Sequence, residues 1–247
     1  MPNFLVYWIF NSSDRLMITS LIGTAATGLY SVGSKLGHAS QLIYTAFAGG
    51  WQYFAFSTMN EDNQVESNSK VFEYLGVVSF IATIFCCLFA ETIFEILFVG
   101  EYVESYIIAP YLFLAPLLQM LFQVEANQFI VVKKTWPNML VLSIGAIANV
   151  MLNLYLIPKI GIEGAAIATL AGYTISDTIC TIVLIKMQLM VVSKKFVLSV
   201  AMMSVFFIMW RFFALNSFVI TLLMAAVFIG GYLYLYKEDL RKLKHKS

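Results

Sequence analysis

Histidine is almost missing from this 247-residue chain, with only His38 and His245 present. Imidazole is the commonest general acid/base group, so its scarcity argues against an enzyme of that kind. There are three cysteines, Cys86, Cys87 and Cys180, all inside apolar runs. An odd count without metal-type spacing gives neither a disulfide framework nor a zinc site. Charge is scarce too: 12% of residues are charged, the formal net charge is +1, and no basic block exists outside the last dozen residues. That excludes the electrostatic footprint of a nucleic-acid binder. No G-x-S-x-G, H-E-x-x-H or P-loop occurs, so no catalytic role, resident metal or cofactor is expected.

What the chain has in excess is apolar side chains. They make up 60% of it, and its mean hydropathy is +0.83, far outside the range of soluble domains. Apolar segments of roughly 20 residues, enough to cross about 30 Å of hydrocarbon as helix, recur throughout. Eight are expected, at about 4–24, 28–56, 71–98, 106–132, 137–157, 163–188, 196–214 and 217–236. The breaks carry turn or charge signals such as "STMNEDNQVESNSK", "KKTWPN" and "IPKIGIEG". Two-residue periodicity is absent, and backbone groups in lipid must be paired within their own segment, so the expected fold is all-α, a polytopic membrane helix bundle.

Orientation follows from the basic residues, because loops rich in them stay in the cytoplasm. If the first span starts on the inner side, Lys70, Lys133, Lys134, Lys186, Lys194, Lys195, Lys237, Arg241, Lys242, Lys244 and Lys246 all fall there, against Lys159 and Arg211 outside. Both termini are therefore expected in the cytoplasm. The tail 237–247 reads either as a basic segment touching anionic headgroups, at about 1 kcal/mol per basic residue, or as a solubilising end. Only Met1-Pro2-Asn3 precedes the first span, so a cleaved signal peptide is not expected.

Ionised groups inside a span cost roughly 2.5 to 3.5 kcal/mol on insertion scales, so each needs a reason. Asp14 and Arg15 lie near the middle of the first span, with Asn11 three and four residues away on one broad helical face. The second span carries Lys35, with His38 about one turn on. Arg15 and Lys35 suit an anion, the first as a planar fork and the second as a mobile point charge. Asp14 would orient Arg15 or bind a coupling cation; the plain structural alternative is that it pairs with Lys35 or Arg15 to lock two helices.

In the fourth span Gln119, Gln123 and Asn127 form a polar stripe at steps of four, after Pro116, with Glu125 and Gln128 off it. The stripe fits hydroxyl-rich ligands or interhelical hydrogen bonding equally well. Asn149 and Asn153 read as helix-to-helix bonding, and the small-residue rows Gly161, Ala165 and Gly164, Ala168, Gly172 as close packing. Asp177 is a second buried acid, either a proton or cation site or a hydrogen-bonded structural group. The last two spans, with few polar residues, are expected at the periphery and without chemistry.

The stretches "SSDRLMITSLIGTAATGLYSVGSKLG" and "ANVMLNLYLIPKIGIEGAAIATLAGYTIS" resemble the polysaccharide (O-antigen and capsule type) flippases of the multidrug/oligosaccharidyl-lipid/polysaccharide (MOP) exporter superfamily. The resemblance covers about residues 4 to 190, and the last two spans more loosely. It implies two six-helix lobes flanking a central site, of which this chain supplies one, residues 1–190, its first helix matching the family's seventh. Residues 191–236 would be two additional helices and 237–247 a basic cytoplasmic tail. Such a chain would act with a missing N-terminal lobe or a second chain.

The resemblance further implies flipping of an undecaprenyl diphosphate-linked oligosaccharide across a bacterial or archaeal cytoplasmic membrane, for surface polysaccharide biosynthesis. Arg15 and Lys35 would bind its pyrophosphate or acidic sugars, and Asn11, Gln119, Gln123 and Asn127 its hydroxyls. Asp14, and with it Asp177, would tune or couple the site. Membrane lipids are the other expected partner. The alternatives are a cation-coupled multidrug antiporter of the same superfamily, which would favour acids over bases in the cavity, and a non-transporting remnant or interaction subunit.

Overall fold

The computed structural model describes residues 2–215 and 217–244, with side chains described except at 2–9, 11, 243 and 244. Asn11 and His245 thus lie, as side chains, outside the described residues. The elements are all helical: α1 (Pro2–Ile22), α2 (Thr24–Gly33), α3 (Lys35–Ser57), α4 (Gln64–Leu97), a 3₁₀ segment (Gly100–Ile108) running into α5 (Ala109–Val131), α6 (Trp136–Lys186), α7 (Lys194–Met209) with a π-helical end (Trp210–Ala214), α8 (Phe218–Leu235) and α9 (Lys237–Lys244). No strand occurs among the described residues.

Among the described residues, five helical stretches are long and apolar enough to cross a membrane: Gln64–Leu97, Gly100–Val131, Trp136–Lys186, Lys194–Ala214 and Phe218–Leu235. The third is really two arms. Its backbone leaves the helical region at Ile160 and at Gly161, where φ is +61°, a value that glycine adopts without penalty. Gly164 then lies so close to the backbone of Leu156 that a Cβ would sit 2.6 Å from it, so the two arms pack almost backbone to backbone. This is the fifth and sixth expected spans folded as a hairpin.

The first two expected spans are not among the five. Their positions are filled by α1 and by α2 with α3, whose Ser12, Ser13, Asp14, Arg15 and Thr24, Thr27, Ser31, Ser34, Lys35 lower the hydropathy. The second is also not one helix. It begins at Thr24, directly after Gly23 at φ +98°, and is interrupted at Ser34. The physical reason is packing: a Cβ on Gly33 would lie 2.4 Å from Ile108, and one on Gly37 2.7 Å from the Leu112 carbonyl oxygen. These two glycines four apart let α2 and α3 press onto the 3₁₀ segment and α5.

α5 is the centre of the bundle, flanked by α3, α4 and α6. Burial covers 78% of its most apolar stretch, against 28% for α7 and 17% for α8. α8 runs antiparallel to α4, as the ring contacts Tyr74–Tyr236 and Phe89–Phe218 require. The three cysteines are buried and free.

Two polar ties hold the last helices to the rest. At one end, Arg211 in the π-helical turn makes a two-pronged ion pair with Glu163, Nη2 to Oε2 at 2.9 Å and Nε to Oε1, while the Tyr111 hydroxyl donates to the same carboxylate at 3.4 Å. At the other, Glu73 accepts from Ser193 at 2.6 Å and from Tyr236 at 2.7 Å. The Arg211 pair is a finding that hydropathy reading missed, because Arg211 reads there only as a loop charge.

Candidate functional site

α1 and α2 form a hairpin about Gly23. The turn brings Thr19 and Thr27 hydroxyls within 2.7 Å and lets Tyr30 donate to Asp14 Oδ2 at 2.8 Å. Asp14 is 3% exposed and faces α6, not α1's open side. There Asn153 Nδ2 donates to Oδ1 at 2.6 Å and the Thr169 hydroxyl donates to Oδ2. Asn149 extends the cluster by donating to Thr169 and accepting from Asn153 and Ser13, each at 3.3 Å. Stacking of Phe10 on Tyr173, centroids 4.3 Å apart, seals one flank.

This corrects the expectation that Asp14 orients Arg15 or pairs with Lys35. Adjacent helical residues point about 100° apart, so the carboxylate can enter the bundle while the next side chain leaves it. Among the described residues Asp14 makes no ion pair, and its acceptor sites are filled by neutral donors from α2 and both arms of α6. The donor set is hard oxygen and amide: two carboxylate oxygens, two amides and hydroxyls. Within it Asn153 Oδ1 is buried and has no partner.

Arg15, Lys35 and His38 are exposed on the other side. The His38 ring lies within electrostatic reach of both Arg15 and Lys35, and all three side chains are exposed. None of the ion pairs among the described residues involves them. Since neither Arg15 nor Lys35 is paired with an acid among the described residues, these two leave positive charge standing on a segment of the bundle that lipid tails cannot solvate.

The amide stripe is placed elsewhere. Gln119 and Asn127 are buried inside the lobe, at 7% and 5% exposure, and Gln123 is half-buried. Gln119 meets the Tyr44 hydroxyl of α3, while both polar atoms of the Asn127 amide lack partners. Gln128, off the stripe, accepts from Gln64 at 2.9 Å. The structure therefore leaves Arg15 and Lys35 exposed, each within electrostatic reach of His38, turns Asp14 into the bundle, and sets the stripe in the interior around α5. Asp177 lies in the interior too, at 8% exposure.

The arrangement of these helices is similar in fold to about half of several solved membrane transporters. Among solved structures, the lipid II flippase MurJ in an inward closed conformation superposes with a TM-score of 0.68 at 15% sequence identity, over 98% of this chain and 53% of that one. A MOP superfamily transporter from Pyrococcus furiosus gives 0.58 at 18% identity, and an outward-facing MATE family multidrug resistance transporter 0.53 at 17%, each over 95% of this chain and 62% of the other. The chain thus spans only about half to three fifths of the length of these transporters. No family model and no curated protein sequence matches it.

Proposed function

We propose that the chain is the substrate-binding lobe of a membrane exporter that moves a lipid-linked, anionic head group, an undecaprenyl diphosphate oligosaccharide for surface polysaccharide, across the cytoplasmic membrane. The observation that carries this reading is the basic face: Arg15 and Lys35 are exposed, each within electrostatic reach of His38 and in no ion pair among the described residues, while Asp14 is turned inward and satisfied. A multidrug antiporter for cations would need the opposite sign there. A guanidinium offers a diphosphate two parallel hydrogen bonds, and the lysine adds a point charge. Rocking of this lobe against a second one would carry the head group between the two sides while the lipid tail stays in the bilayer.

Asp14 has a separate role in this reading. Its oxygen-rich cluster ties α1, α2 and both arms of α6, and the partnerless Asn153 oxygen suits a small hard cation as a transported co-substrate. A cation entering there would draw on the same carboxylate that holds the hairpin, which is how ion binding could bias the lobe's position. The amides Gln119, Gln123 and Asn127 serve sugar hydroxyls only if the interior around α5 opens during the cycle. The inner side is that of Lys70, Lys133, Lys134 and the tail.

The test is binding by the chain in lipid nanodiscs of three probes: a polyprenyl diphosphate, the matching neutral polyprenol, and a lipophilic quaternary ammonium dye. The expected result is preference for the diphosphate, weakened tenfold or more by Arg15→Ala and by added salt. Equal binding of the neutral lipid, or preference for the cationic dye, overturns the reading.

A further inference from the structure

Glu125 of α5 and Asp177 in the second arm of α6 are acids used by neither the basic face nor the Asp14 cluster. Glu125 is 0% exposed, and Asp177 lies within its electrostatic reach. One turn beyond Asp177, the Thr181 hydroxyl donates to Glu125 Oε1, and the Cys180 thiol reaches the same carboxyl. The remaining three oxygens, Glu125 Oε2 and both of Asp177, are buried without any hydrogen-bond partner.

None of the ion pairs among the described residues involves them, and the titratable groups seen to act on the pair there are the two acids themselves and Cys180. α4 faces them with Phe72 and Phe80, and α7 with Val200 and Met203, around a cleft of about 310 Å³ that Asp177 borders. α3, packed on α5, brings Tyr44, whose hydroxyl goes to Gln119, while its Lys35 and His38 stand on the open face. α1, packed on α6, brings Asp14, which has its own three donors, and Arg15, which points away.

An ionised carboxylate can only accept hydrogen bonds, so two of them cannot satisfy each other; a protonated one carries an O–H and can. A proton taken up by either carboxyl removes one of the two buried charges and supplies an O–H that can turn to the other as the two approach.

We propose that Glu125 and Asp177 form a proton-binding pair at the inner edge of the cleft between the lobe and α7. With the proton bound, the pair holds α5 against α6. When the proton leaves through the cleft, two like charges face each other in an apolar surround, and the contact between the helices opens to water along Thr174, Thr178 and Thr181, which line the cleft. The inference stands apart from the substrate assigned to the basic face.

Infrared difference titration of the full chain in lipid nanodiscs, without substrate, tests it. The wild type is expected to show the carbonyl band of a protonated carboxyl that shifts in heavy water and vanishes on raising the pH. Glu125→Gln and Asp177→Asn should each remove that band, and Asp14→Asn should leave it. Should one of the two variants not fold, the other decides. A band that survives both substitutions, or no titrating carboxyl band at all, overturns the proposal.

Melting gives a second readout. A folded chain that holds a proton the unfolded chain has released loses stability as pH rises. The wild-type melting temperature should therefore fall toward alkaline pH, and the Glu125→Gln/Asp177→Asn double variant should lose that slope; an unchanged slope overturns the proposal. If diphosphate binding fails while the band behaves as expected, the transport reading falls and the proton pair stands.

Discussion

Asp14 and Arg15 are consecutive in the chain and belong to different worlds: the carboxylate is 3% exposed and held by Asn153 and Thr169 of α6, while the guanidinium stands on the exposed side of α1. One residue is a structural hub, the other a charge that joins no ion pair among the described residues. Their substitutions should therefore fail in different ways.

Asp14→Ala removes the acceptor for Tyr30, Asn153 and Thr169; Thr169 keeps the Ala165 carbonyl and Asn153 keeps Asn149, while the buried Tyr30 hydroxyl loses its acceptor. The cost of orphaning such a group is about 1–3 kcal/mol. Thermal unfolding in detergent should show a clear drop in melting temperature, and Asp14→Asn, which keeps an acceptor oxygen, a smaller one.

Arg15→Ala makes no such change, because Arg15 joins none of the ion pairs among the described residues. Stability should stay within about 0.5 kcal/mol of the parent. Diphosphate binding should fall tenfold or more in the same preparation, and Arg15→Lys should restore only part of it, since a point charge cannot reproduce the two-pronged contact.

Gly37→Ala places a methyl 2.7 Å from the Leu112 carbonyl oxygen, an atom of backbone that cannot rotate away. Overpacking of this kind costs about 1–3 kcal/mol. The same change at Gly49, where an added Cβ meets nothing, should be neutral or slightly stabilising in the same melting assay.

Arg211→Ala leaves Glu163, 8% exposed, without its cation. Removing one partner of a largely buried pair costs up to about 3 kcal/mol, less than a fully buried one because Arg211 is partly exposed. Replacing both, as Arg211→Met with Glu163→Gln, should recover much of the loss. Limited proteolysis near Leu215 should follow the same order, fastest in the single variant.

Hydropathy and turn chemistry place the helical segments from α4 onward, since a run of apolar residues bounded by "KKTWPN" or "IPKIGIEG" has few other solutions, but not the break at Ser34 that divides the second expected span into α2 and α3. Gly161 and the small rows of α6 were legible for the same reason: only small residues permit that approach. The partners of Asp14 were not. They lie 139 and 155 residues further along the chain, and a helical wheel ranks Arg15 and Lys35 as nearer. The ladder Gly33 and Gly37 was present as a four-residue spacing, visible in hindsight as the signal that α2 and α3 must touch the chain near Ile108 and Leu112. Glu125 looked incidental because its meaning depends on which face of α6 meets α5, a property of packing and not of either segment alone.

The Asp14 cluster also sets an order of assembly. α1 is one of the least apolar of the long helices and is made before α6, and Asn153, one of its anchors, is synthesised 139 residues after Asp14. At ribosomal speeds of about 5–20 residues per second that is a wait on the order of 10 s. During it, Asp14 and Arg15 reside in or beside the membrane without their eventual surroundings. The early hairpin must therefore be sheltered by the insertion machinery or rest at the water interface, and its final burial becomes a late, cooperative event that arrives with the folding of α6.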